Sequence, residues 1–134
     1  MMTLKDIAEW LETKVPEAEV WRIGSYDNSN EKTVCIRNLA SNREKIAIGG
    51  KDFKTTRTKG ISIIVHWNKS PNATEIAAQS IYDLFYGEKP ILGEYQTILC
   101  NMRNDEPVSL GTDENGIYEY VIEMWITYKC DGKE

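Results

Sequence analysis

The stretch from Ile117 to Tyr128 constrains this chain more than any other. Tyr118, Tyr120, Ile122, Met124, Ile126 and Tyr128 alternate with Glu119, Val121, Glu123, Trp125 and Thr127, the two-residue period of a strand. A run of about twelve residues spans roughly 40 Å, about twice the usual strand length. One short partner cannot satisfy all its backbone groups. Such a strand must cross a whole sheet, bend at a bulge, or offer an edge to another chain. The preceding "TDENG" carries Asn115-Gly116, a strong tight-turn signal. Pro107 to Leu110 is therefore expected to pair back on the long strand.

Leu4, Ile7, Ala8 and Leu11 lie at i, i+3, i+4 and i+7, the stripe of a helix. Thr3 with Asp6 suits its cap, and Val15-Pro16 suits its end. "EVWRIG" (19–24) and "KTVCIRNL" (32–39) read as strands, and the Asn/Asp/Ser-rich "YDNSNEK" between them suggests a hairpin. "KIAIGG" could be a brief strand. "GISIIVHWNK", Gly60 to Lys69, is a strand apolar on both faces. "SPNATEIAAQSIYDLFYG" is a second helix, capped by Ser70 or Asn72. Its expected face is Ala73, Ala77, Ile81 and Leu84, with Ile76, Ser80 and Phe85 flanking and Gly87 as the stop. "YQTILCNM", Tyr95 to Met102, is another strand. The fold class expected is α+β: a single domain with a mainly antiparallel sheet and two helices packed on it.

A chain of 134 residues is one domain's worth. A net charge of −5 argues against a surface devoted to nucleic acid, which needs surplus Lys and Arg. The opening "MMTLKDIAEW" has no long apolar run and reads as neither a signal peptide nor a membrane span. The expected compartment is the cytoplasm in which the chain is made. Cys35, Cys100 and Cys130 are odd in number, far apart and form no CxxC pair, so reduced cysteines among strand residues are expected rather than a metal or disulfide framework.

The residues for chemistry are sparse. His66, the one histidine, lies inside a strand. A general base needs an orienting partner and a cleft, and the sequence shows neither. "IGGKDFKTT" lacks phosphate-loop spacing, and "TDENG" lacks the ligand repeat of a calcium loop. The stretch of about 40–59 is locally basic through Arg43, Lys45, Lys51, Lys54, Arg57 and Lys59. In an acidic chain that asymmetry suggests either a solvated, mobile loop or a contact arm for an acidic partner. The many tryptophans and tyrosines suit both cores and interfaces.

Two segments, taken together, carry a resemblance. Ile81-Tyr82-Asp83-Leu84-Phe85 in the second helix is followed by Pro107, Leu110, Gly111, Asp113, Glu114, Gly116, Tyr118, Glu119, Tyr120 and Tyr128. This pairing resembles the phage tail terminator proteins, which in phages and prophages of Gram-positive hosts are often labelled minor capsid proteins. The element order agrees over nearly the whole chain, and the specific motifs are helix two and the last third. Thr112 and Ile117 stand where many relatives would have arginine.

The resemblance implies a structural virion protein that assembles as a hexameric ring at the head-proximal end of a tail. There it would stop tube polymerisation and help join the tail to the head connector. It implies no enzyme activity and no cofactor. The implied partners are other copies of the chain, the tail-tube protein and a head connector or completion protein, with no membrane and no sequence-specific nucleic acid. The candidate interface residues are Arg43, Lys45, Lys51, Lys54, Arg57, Lys59, Asp113, Glu114, Glu119 and Trp125. On this reading the long strand crosses the core sheet and continues toward a neighbouring subunit. The alternatives are another head–tail completion protein, or a small α+β ligand-binding or enzyme subunit using groups near His66, Cys35 or Cys100.

Overall fold

The structure, a computed structural model, describes residues 1–27, 29–40 and 56–129. Its elements in chain order are α1 (Leu4–Lys14), β1 (Val20–Ile23), β2 (Thr33–Asn38), β3 (Thr56–His66), α2 (Pro71–Asp83), β4 (Ile91–Leu92), β5 (Tyr95–Met102), β6 (Val108–Thr112) and β7 (Tyr118–Lys129). The chain is a single α+β domain. The seven strands form one curled, mostly antiparallel sheet in the order β1-β2-β3-β7-β5-β4, with β6 also pairing β7.

The length of β7 has a direct cause in this topology. On one side it pairs with β3 along its whole course, from Thr56↔Lys129 to His66↔Glu119. On the other side β5 and β6 divide it. β6 covers Tyr118 to Val121 and β5 covers Met124 to Tyr128. Bulges at Thr97/Leu99 and Ser109/Gly111 let the two short strands follow the curl. Both edges of β7 are therefore paired within the chain. The strand crosses the sheet as expected, and the pairing of both edges over Tyr118–Lys129 counts against its continuation toward a neighbouring subunit.

Both helices pack on one face of the sheet. Val34, Ile36, Ile61, Ile63, Val65, Ile122, Met124 and Ile126 supply the sheet side of that core. α1 buries Ile7, Ala8 and Leu11. Its capping box is complete: Asp6 N–H donates to Thr3 Oγ1 at 3.2 Å and Thr3 N–H to Asp6 Oδ2 at 2.9 Å. Trp10 of α1 meets Phe85 edge to face at 5.3 Å between centroids, which ties the first helix to the end of the second. No helix among the described residues is long and apolar enough to cross a membrane.

Several expectations need correction. β1 and β2 are parallel, with Val20 opposite Thr33, and do not form a hairpin. The segment 24–32 leaves through Gly24 (φ +90°) and returns through Lys32 (φ +53°), long enough to run back to the start of β1. There the amides of Glu19 and Val20 both donate to the Lys32 carbonyl. β3 starts at Thr56 rather than Gly60, because Thr56 to Lys59 continue the ladder with β7. Arg57 and Lys59 are thus strand residues, outside any loop. α2 starts at the Ser70 cap with Pro71 in its first turn. It buries Thr74, Ala78, Ile81 and Tyr82, a face rotated from the expected one, and Ile76 is 58% exposed. The helix ends at Leu84, before Gly87. The possible strand "KIAIGG" lies outside the described residues.

Candidate functional site

Two places gather the chemistry: a buried polar cluster at one end of β3 and β7, and an open groove along β5.

The cluster begins with the register that sets His66 opposite Glu119. The turn after β6 then folds Asp113 over the same end of the sheet. His66 Nε2 and Asp113 Oδ2 are 2.7 Å apart, with side chains 0% and 5% exposed. The other carboxylate oxygen, Oδ1, accepts from the amides of Asn115 (2.8 Å) and Ile117 (3.0 Å). One aspartate therefore organises its own turn and holds the histidine. Burial raises the Asp113 pKa, but the hydrogen bonds from His66, Ile117 and Asn115 outweigh it, and the carboxyl titrates below its ordinary value. Tyr26, from the segment between β1 and β2, lies against the imidazole at 5.4 Å between centroids, and its hydroxyl donates to Glu119. Burial first, then the Glu119 carboxylate, pushes that phenol above its ordinary value. Sequence left His66 without an orienting partner. The structure supplies Asp113, but the imidazole is closed off from solvent and Nδ1 has no partner. The arrangement is a structural clasp.

The remaining candidate residues fall apart in space. Arg43, Lys45, Lys51 and Lys54 lie outside the described residues. Arg57 pairs with Tyr128 and Lys59 with Ile126 on the β3–β7 ladder. The Lys59 ammonium reaches Asn38 Oδ1 at 3.3 Å; burial lowers its pKa, with Asp6 opposing. Glu114 is exposed in the turn. Trp125 Nε1 donates to the Ala40 carbonyl at 2.8 Å, across the strand from Gly60. The structure thus brings Asp113 and Glu119 together and commits both to contacts within the chain.

Sequence reasoning missed the groove. A cleft of about 350 Å³ follows the outer side of β5 from Ile98 to Met102 and is walled by Tyr82 and Tyr86. These two tyrosines stack at 5.7 Å, and Tyr86 is 63% exposed. Their i, i+4 spacing in "IYDLFY" was the available signal. β4 pairs only with Tyr95 and Gln96 and the Thr97 amide bonds the Pro90 carbonyl, so beyond Thr97 that edge pairs with no described strand. At the other end of the sheet, β1 is likewise paired on one side only.

A family model described as bacteriophage tail terminator protein matches residues 1–129. No curated protein matches the sequence significantly.

Proposed function

The chain belongs to the bacteriophage tail terminator family and has the structural role in a phage tail that this implies; on that premise we propose that it caps the head-proximal end of the tail. It stops tube polymerisation there and helps join the tail to the head connector, working as a ring of six copies without catalysis or cofactor. It would be made and assembled in the host cytoplasm and end in the virion.

The observation that carries this reading is the family match over nearly the whole chain. The sheet adds physical support. A ring needs a heterologous contact that closes on itself, and among the described residues the sheet has edges left unpaired at β1, at β6 and along β5 beyond the short β4. The cations Arg43, Lys45, Lys51 and Lys54 are proposed as an arm toward an acidic surface of the tube, the connector or the next subunit. Reversing Lys51 and Lys54 to glutamate should weaken assembly and leave the fold intact; normal tails would remove the arm from the proposal.

The deciding experiment is deletion of the gene from its source phage or prophage, with induced lysates viewed by negative-stain electron microscopy. Filled heads beside separate tails of abnormal, variable length are the expected result. Headless tails of normal length would assign the chain to the connector instead. Normal infectious particles would overturn both.

A further inference from the structure

The β5 groove is shaped by a strand that lacks a neighbour. β4 stops pairing at Gln96, and the last bond on that side runs from the Thr97 amide to the Pro90 carbonyl at 3.2 Å. The side chain of Gln96 donates to the carbonyls of Lys89 and Thr97, which closes the covered part. From Ile98 to Met102 no described strand pairs with the outer edge of β5, and residues 86–89 border the groove beside it. Backbone groups on such an edge are a template for an added strand. This edge has little of the usual protection: Leu99 is 55% exposed, and no Lys, Arg or Pro occurs from Tyr95 to Met102.

We infer that the β5 groove receives β1 of a second copy of this chain, so that the sheets of neighbouring subunits join edge to edge. This rests on the ring reading above and names the contact that closes it. Three observations favour β1 as the occupant. It ends the strand order on the side away from β5 and is paired only with β2, so one kind of contact would pair an open stretch on each copy. Its Val20–Ile23 span is comparable to the open 98–102 stretch. Its exposed Arg22 donates to the neighbouring Trp21 carbonyl, which holds a cation at that edge, while Glu88 and Asp105 flank the groove, with Lys89 as the one opposing cation. The exposed Ile23 (49%) lies on the sheet face of Ile36, the face the helices cover, where the exposed Tyr86 is its apolar counterpart.

The topology also fixes the direction. β1 is parallel to β2, and each later step through β3, β7 and β5 is antiparallel. β5 therefore runs opposite to β1. Rotation about an axis along the strands keeps that sense, so the added strand is antiparallel. Arg22 lies on the sheet face of Cys35, and Leu99 and Asn101 lie on that of Thr127 and Trp125. Cys35, Ile64 and Val121 connect the two across the sheet. Arg22 of one copy therefore falls on the same side as Leu99 and Asn101 of the next.

The test is disulfide trapping in assembled tails. In a Cys130→Ser background, Arg22→Cys is combined with Leu99→Cys in one variant and with Asn101→Cys in another, the two alternate positions covering the register. Tails are isolated, oxidised mildly, imaged, and run on non-reducing gels. The expected result is a ladder of chain multiples from at least one double variant, with single-cysteine variants staying at one chain mass. Tails that carry a six-fold ring but give no ladder from either pair would overturn the strand contact and leave the ring standing. Tails of wild-type protein without such a ring would overturn the ring reading itself, and this inference with it.

Discussion

His66 Nε2 and Asp113 Oδ2 lie 2.7 Å apart although 47 positions separate them, and this contact pins the β6–β7 turn to the end of β3. Removing Asp113 leaves the turn amides of Asn115 and Ile117 without their acceptor and the buried imidazole without a partner on either nitrogen. Asp113→Ala should cost about 3 kcal/mol in a denaturant melt, the scale of breaking a buried hydrogen-bonded pair. Asp113→Asn, which keeps the Oδ1 acceptor for the turn, should cost about a third of that. Equal costs for the two would mean that the turn bonds contribute little.

The same carboxyl sets an acid-side dependence. Asp113 titrates below its ordinary value in the folded chain, so the native state binds that proton more weakly than the unfolded chain does. Its stabilisation is fully present above the unfolded value of about 4 and is lost as pH falls through the lower folded value. A series of denaturant melts between about pH 6 and pH 2 should show stability falling in that acid window, with a shallower fall in Asp113→Asn. Identical slopes would remove Asp113 as a source.

Gly60 carries a different constraint. A Cβ there would come 2.6 Å from the Leu39 carbonyl oxygen and 3.1 Å from Trp125 Nε1, and the first of these is backbone that has to move. Gly60→Ala should therefore destabilise by about 2 kcal/mol, typical of overpacking, and should disturb the Trp125 contact with Ala40. Tryptophan fluorescence and a melt would read both effects. An unchanged melt would show that residues 39–40 yield freely.

Much of this was legible from local signals and little from long-range ones. The alternation of β7, the cap at Thr3 and the span of β5 follow from neighbours in sequence. The face of α2 does not: Ala73/Ala77 and Thr74/Ala78 both have helical spacing, and packing against the sheet selects the second. The start of β3 was hidden because "TRTK" has no apolar alternation and owes its strand to pairing with Thr127 and Lys129. A polar segment such as 24–32 has the same composition whether it reverses a hairpin or returns to a parallel partner. The His66–Asp113 pair and the β5 edge depend on which strands end up adjacent, which no spacing within one segment encodes. The cysteine expectation rested on strand position: Cys35 and Cys100 are buried residues of β2 and β5, and Cys130 lies outside the described residues.

Those thiols give a reactivity prediction. Burial pushes Cys100 up to about 12 and raises Cys35 as well, with Arg37 opposing. The thiolate is the reactive form, so both should resist alkylation at pH 8 in the folded chain and react once it is denatured. Peptide mass spectrometry after iodoacetamide treatment separates the two states. Rapid native labelling of Cys100 would mean that β5 opens readily from β7.

Protection against hydrogen exchange should rank the strands by how many sides are paired. β3 lies between β2 and β7, and β7 lies between β3 and the β5–β6 pair. Their central amides, around Ile63 and Met124, can exchange only when the sheet opens as a whole, and should be the slowest in the free chain. The outward-facing amides of β1, of β6 and of β5 beyond Thr97 need no such opening and should exchange fastest among the strands. Assembly tests the edge contact without any substitution. In isolated tails the amides of 20–23 and 98–102 should slow together, while those of β3 and β7 change little. Slowing confined to the helices would place the subunit contact on the helix layer and overturn the edge contact.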